Sequence, residues 1–252
     1  MKETTPLLSP DPETPEEPIF LDHEAVVDTI IVSDVHLGSS VSRSKRLLEL
    51  LRAYSYHRLI LNGDVFDDLN FNRLTKEDWR FLSYIRKMSN PKRGVNVVWV
   101  IGNHDGGVAE ILSHLLGVPV HEEYVWEAGG LRCLAIHGHQ FDKWITEHVV
   151  VTAVASTLYS WLQRLDPEHR VSRWVKRTSK KWLRLSDKVA NDAIEHGRKH
   201  HGADIVFCGH THQFTDRVIG RGRYINSGCW TDKPSQYVTI SLNGEITLRQ
   251  CL

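Results

Sequence analysis

Five short stretches of this chain carry side chains able to hold a metal ion or move a proton, and each closes an apolar run. They are "SDVH" at 33–36, "NGDVFDD" at 62–68, "GNHD" at 102–105, "HGH" at 137–139 and "GHTH" at 209–212. Each has an ordinary reading when taken alone. Asp34 and His36 suit a turn, Asp64 suits a helix cap, and "GNHD" is the kind of turn that Asn and Gly favour. Recurrence changes the reading. In an open α/β sheet the loops beyond the carboxyl ends of the strands converge on one crevice, where ligands bind. Five such ends rich in Asp, Asn and His therefore predict one shared metal site. "GHTH" adds that His210 and His212 stand two apart directly after the run "ADIVF".

The elements needed to bring these ends together are visible from residue 29 onward. "TIIVSD" has the pattern of a strand, and "SRSKRLLELLRAY" that of an amphipathic helix with Leu47, Leu48, Leu50 and Leu51 clustered on one side. "RLILNGD" is the next strand. "TKEDWRFLSYIRKM" opens on a Thr cap with carboxylates in its first turn and stops before "NPKRG". "VNVVWV" repeats the strand pattern, so strands alternate with helices in an α/β arrangement. After "GHTH", the runs "DRVIG", "RYINSG", "QYVTISL" and "EITLRQ" alternate like antiparallel strands and are expected to complete a second sheet, with "GRGR" as a tight hairpin turn.

Composition bounds what the crevice serves. A chain of 252 residues suffices for one large α/β domain with an insertion. Lys and Arg number 31 against 31 Asp and Glu, so no global field favours a nucleic acid, and any polyanion site must be local. The four cysteines form no CxxC pair, which predicts small buried thiols of a reducing compartment, hence a cytoplasmic protein. Residues 1–24 are acidic and proline-rich, and predict a disordered leader rather than a signal peptide. The folded domain is expected over 25–252.

In order and spacing, D-x-H, GD, GNHD, H and GHxH resemble the calcineurin-like metallophosphoesterase superfamily over roughly residues 29–250. The resemblance implies a four-layer α/β/β/α sandwich with an inserted helical cap. It implies that Asp34, His36, Asp64 and His212 hold one divalent ion, and that Asp64 bridges to a second held by Asn103, His137 and His210. It also implies Mn²⁺ as the first choice, while the oxygen and imidazole donors equally suit Fe, Co or Zn. Two such ions bring four positive charges against three from Asp34, Asp64 and a bridging hydroxide, which attacks phosphorus to break a P–O bond. His104 is then the catalytic residue beside the metals. Asp105 either orients the His104 ring or caps the helix "GGVAEILSHLL". Asp67 and Asp68 either line the crevice or sit in a solvated turn.

Residues 143–201 form an excursion between the fourth and fifth motifs and are expected to be the cap. The run "ITEHVVVTAVASTLYSWLQRL" is apolar, and a stretch with Trp174, Trp182 and several Lys and Arg follows it. Basic-aromatic helices of this kind contact membrane surfaces, and also occur as helical hairpins with a solvated basic face. With "SDVHLG" and "HGHQFD", the insertion resembles the UDP-2,3-diacylglucosamine pyrophosphatase branch. That implies hydrolysis of a lipid-linked nucleotide sugar in lipid A synthesis, with peripheral contact to the inner membrane face. This chain has His104 where that branch has arginine, and His139 where it has aspartate. Alternatives are a phosphodiesterase, phosphatase or nuclease with another substrate, and a binding scaffold without chemistry.

Overall fold

The computed structural model describes residues 25–107, 109–142 and 180–252. The first sheet contains β1 (Ala25–Val32), β2 (Tyr54–Asn62), β3 (Asn96–Val100), β4 (Val120–His121), β10 (Ser235–Ile240) and β11 (Ile246–Cys251), in the order β11-β10-β1-β2-β3-β4. The second contains β5 (Glu123–Ala128), β6 (Leu131–Ile136), β7 (Ile205–Cys208), β8 (Thr215–Ile219) and β9 (Gly222–Asn226), in the order β5-β6-β7-β9-β8. Helices α1 (Ser44–Ala53), α2 (Lys76–Met88), α3 (Ala109–Leu116) and α4 (Lys180–His201) connect them.

Alternation along the strands creates three apolar layers. In β1, β2 and β3 the side chains of Ile30, Val32, Leu59, Leu61, Val97 and Trp99 face Leu47, Leu51, Phe81 and Ile85 of α1 and α2. The intervening Ile31, Ile60, Val98 and Val100 turn the other way and meet Ala135, Ile205, Phe207 and Ile225 of the second sheet. On that sheet's far side, Leu134, Ile136, Val206 and Cys208 pack on Ala190, Ala193 and Ile194 of α4. Helix, sheet, sheet and helix thus form the four layers expected. Strands covered on both faces read as continuous apolar runs, which is why "TIIV", "LILN" and "VVWV" show little polar alternation.

α2 starts where the sequence marks it. Thr75 accepts from the backbone N–H of Asp78, whose carboxylate accepts in return from Thr75, a reciprocal cap. All four cysteines are buried and reduced.

Two expectations are corrected. The four strands after "GHTH" do not all join the second sheet. β8 and β9 do, but β10 returns to pair antiparallel with β1, and β11 follows it to the edge of the first sheet. The apolar alternation of a hairpin is the same on either sheet, so the sequence pattern could not choose between them. The excursion 143–201 is also not wholly a cap. Its last part is α4, whose Val189, Ala190, Ala193 and Ile194 are buried and form the outer layer over β6, β7 and β9. The rest of the expected cap and the leader lie outside the described residues. No described helix is long and apolar enough to cross a membrane.

Candidate metal centre

The loops after β1, β2, β3, β6 and β7 meet over the ends of both sheets. The first two are zipped together, with the N–H groups of Asp34, His36 and Leu37 donating to the carbonyls of Gly63, Asp64 and Val65 at 3.0, 3.0 and 2.8 Å. Among the described residues, the non-glycine positions with positive φ are Asp34, His36, Asp64, His210 and His212, at 49–60°. All five are expected metal ligands. Left-handed backbone costs about 1 kcal/mol or more at each, and the cost recurs at these positions because it turns each side chain into the crevice.

The carboxylates divide their labour. Asp64 Oδ1 accepts from the backbone N–H of His104 at 2.9 Å, and Asp34 Oδ2 from that of His210 at 3.2 Å. The other oxygen of each faces imidazoles. Asp64 Oδ2 lies 3.3 Å from His137 Nε2, 3.9 Å from His36 Nε2 and 4.0 Å from His104 Nε2. Asp34 Oδ1 lies 3.0 Å from His212 Nε2 and 4.0 Å from His36 Nε2. Two glycines permit this crowding. A Cβ on Gly63 would stand 2.2 Å from His137 Nδ1, and one on Gly102 would stand 2.2 Å from Asp64 Oδ1.

His137 supplies the test of whether a cation fits. Its ring is fully buried, and Nδ1 lies 2.9 Å from the carbonyl oxygen of Asn62, which requires Nδ1 to carry the proton. Nε2 is therefore aimed at Asp64, and it makes no hydrogen bond of normal geometry there. An imidazole nitrogen 3.3 Å from a carboxylate oxygen calls for positive charge between them, supplied by a proton on the ring or by a bound cation. Burial opposes charging His137, yet Asp64 and Asp34 outweigh it and raise the imidazole to about 10. Burial likewise pushes the Asp34 carboxyl up, but His212 brings it down to about 2. Asp64, also opposed by burial, is held well below the usual carboxylate range by His137. The pocket demands cations, and its oxygen and imidazole donors suit borderline divalent metals. In the crevice, Asp34, His36 and His212 form one convergent group of ligand atoms, Asp34, Asp64 and His137 another, and His36, Asp64 and His104 a third.

The remaining residues are placed less uniformly. His210 turns Nε2 to Asp142 Oδ2 at 3.2 Å, and its ring centroid lies 5.4 Å from that of His137. Asn103 is exposed at the rim. His104 is part-buried, with Nδ1 2.6 Å from the carbonyl oxygen of Asp67. His139 sits behind His137, where burial first, then His137 and His210, lower its imidazole to about 4.

Asp105 has neither of the roles expected from the sequence. Its carboxylate is fully buried and accepts from the N–H groups of Phe66 at 3.0 Å, Gly102 at 3.2 Å and Val65 at 3.3 Å, and from the Trp99 indole at 3.2 Å. It ties the loop after β2 to the loop after β3. The helix start is met by its backbone carbonyl, which accepts from Ala109. Asp67 lines the crevice, with Oδ1 3.4 Å from His36 Nδ1 and Oδ2 2.8 Å from Arg73. Asp68 faces outward to Arg73 and the N–H of Asn70. Asp142 was not singled out from the sequence, although it stands in "HGHQFD". A carboxylate five residues past a ligand histidine was the available signal.

Two sheets whose strand ends gather aspartate and histidine around a cation-demanding pocket define a metallophosphoesterase sandwich. The sequence profile of the calcineurin-like phosphoesterase superfamily domain matches residues 27–244, and the chain belongs to that family. No curated protein matches it in sequence. Among solved structures it is similar to an archaeal phosphodiesterase, at 16% identity over 88% of this chain and 98% of that one, with a TM-score of 0.48. It is similar also to the phosphoesterase YfcE from E. coli, at 19% identity over 89% and 99% with a TM-score of 0.48. A third is Vacuolar Protein Sorting 29 from Cryptosporidium parvum, at 14% identity over 89% and 97% with a TM-score of 0.48.

Proposed function

We propose that the crevice holds two divalent cations and hydrolyses a phosphodiester or diphosphate carried by an amphipathic substrate, of which UDP-2,3-diacylglucosamine is the leading candidate. The observation that carries the chemistry is Asp64 Oδ2, which faces three imidazoles while Oδ1 is anchored by a backbone N–H. Asp34, His36 and His212 would hold one ion, and Asn103, His137 and His210 the other, with Asp64 between them. Such ions, when bound, polarise phosphoryl oxygens and make water a usable nucleophile near neutral pH. His210 has Nδ1 as its remaining donor once Nε2 faces Asp142, and a carboxylate on the far nitrogen orients a ligand imidazole.

His104 supplies the proton chemistry. The Asp67 carbonyl fixes the Nδ1–H form, so Nε2 is the nitrogen presented to the crevice, and a proton held there passes to the leaving oxygen.

The amphipathic substrate is supported by apolar side chains around the "GNHD" loop. Ile111 and Leu115 share one face of α3 and are 65% and 66% exposed. Leu69, half exposed, stands where a Cβ on Gly107 would touch it, and Phe71 follows. Exposed apolar surface of this kind suits acyl chains or peripheral membrane contact.

Asp64→Ala tests the reading. Hydrolysis of bis-p-nitrophenyl phosphate should fall by orders of magnitude together with bound metal, and retained activity would sink the two-cation assignment. UDP-diacylglucosamine, UDP-sugars and single-stranded DNA, run in parallel, rank the substrate classes.

A further inference from the structure

We infer a second cation site, separate from the crevice, formed by Glu123, His196 and His201 and suited to Zn²⁺ or another borderline divalent metal. Glu123 opens β5 and shares with Val125 the sheet face that α4 covers, while both histidines lie near the end of α4. Oε1 of Glu123 is 2.8 Å from His196 Nε2, and Oε2 bonds His201 Nε2. The three ligand atoms lie within 4.8 Å of one another, and the group shares no residue with the crevice. His200 lies beside them, its ring tilted against that of His196 with centroids 4.7 Å apart.

Hydrogen bonding accounts for two of these rings, each meeting a different oxygen of Glu123, but not for the gathering of a third imidazole, His200, at the same spot. A single divalent ion satisfies the carboxylate and two neutral imidazoles together, as in His₂Glu sites. Ligand atoms about 2.1 Å from Zn²⁺ stand about 3.4 Å apart in tetrahedral geometry. Glu123 and His196 need therefore separate by about half an ångström, and Glu123 and His201, in closer contact, by more. Helix polarity adds to the preference, because the C-terminal end of α4 is the negative end of its dipole. That end is firmly closed, with Gly202 N–H donating to Arg198 and Ala203 N–H to Gly197 at 3.1 and 3.0 Å. An ion here would clamp α4 to the edge strand β5.

Zn²⁺ bound per chain, measured by mass spectrometry after equilibration with Zn²⁺ and gel filtration, decides the matter. His196→Ala combined with His201→Ala should bind one ion fewer than the wild type and still hydrolyse bis-p-nitrophenyl phosphate. Glu123→Gln, which keeps the side-chain volume, should weaken that one ion at least tenfold and covers the event that the double variant does not fold. Asp64→Ala should lose crevice metal and keep this ion, so failure of the crevice reading leaves the result interpretable. An unchanged Zn²⁺ count in both cluster variants overturns the proposal, and so does loss of the ion together with hydrolysis.

Discussion

The carbonyl oxygen of Asp67 lies 2.6 Å from Nδ1 of His104, and the same residue's carboxylate lies 3.4 Å from Nδ1 of His36. One residue thereby orients two rings of the crevice, by its main chain and by its side chain. The two attachments separate experimentally, because a side-chain substitution leaves the carbonyl in place.

His104→Ala should lower turnover of bis-p-nitrophenyl phosphate by about 10²–10⁴-fold, the usual contribution of a proton donor. Its metal content should stay near that of the wild type if the ring acts on the leaving group, the test being needed because His36, Asp64 and His104 also converge closely enough to share an ion. Elemental analysis beside steady-state kinetics checks both, and metal loss in the variant would make His104 a ligand.

Asp67→Asn should instead act on the metal. It removes the carboxylate that faces His36 and leaves the carbonyl that holds His104. Loss of an outer carboxylate typically weakens metal binding about 10–100-fold. Excess metal in the assay should restore most of the turnover. A deficit that persists at saturating metal would show that Asp67 acts on the reaction itself.

Asp105→Ala should unfold more easily. It strands four buried donors, on Val65, Phe66, Gly102 and Trp99, each costing about 1–3 kcal/mol when unsatisfied. Even the lower end, about 4 kcal/mol for the four together, lowers Tm by about 8–16 °C in a domain of this size. Thermal melts decide between this role and direct catalysis. An unchanged Tm with abolished turnover would restore Asp105 to the chemistry.

These roles mark the limit of what the sequence discloses. Strand ends carrying "SDVH", "NGD" and "GHTH" are readable because a residue that must leave a strand and turn into a crevice has to follow the apolar run directly. The same adjacency makes "GNHD" ambiguous. His104 and Asp105 are neighbours in the chain, yet one ring lines the crevice while the other side chain is buried beneath it. Which is which depends on where the loop after β2 passes, a contact across 40 residues. The role of α4 was hidden for a related reason. A helix that covers a second sheet and a helix that caps a site present the same amphipathic spacing, and the difference lies in the partner each face meets. The cluster of Glu123 with His196 and His201 is likewise invisible in a chain with fifteen histidines, because 73 residues separate its carboxylate from the nearer ring.

The exposed apolar face of α3, the helix that follows the "GNHD" loop, tests for an amphipathic substrate against a soluble one. Ile111→Asp with Leu115→Asp places two charges on the exposed face of α3, where neither side chain is part of a core cluster, so stability should change little. Each methylene withdrawn from water contributes about 0.8 kcal/mol, and a diacylated substrate resting on this face loses several such contacts together. KM for UDP-diacylglucosamine should therefore rise by ten-fold or more, while kcat/KM for bis-p-nitrophenyl phosphate stays within about twofold, since that diester has no chain to lay there. Circular dichroism and Tm confirm that the variant is folded before the two substrates are compared. Equal loss on both would mean that α3 acts by placing the "GNHD" loop. Unchanged KM on the lipid substrate would remove this face from substrate binding.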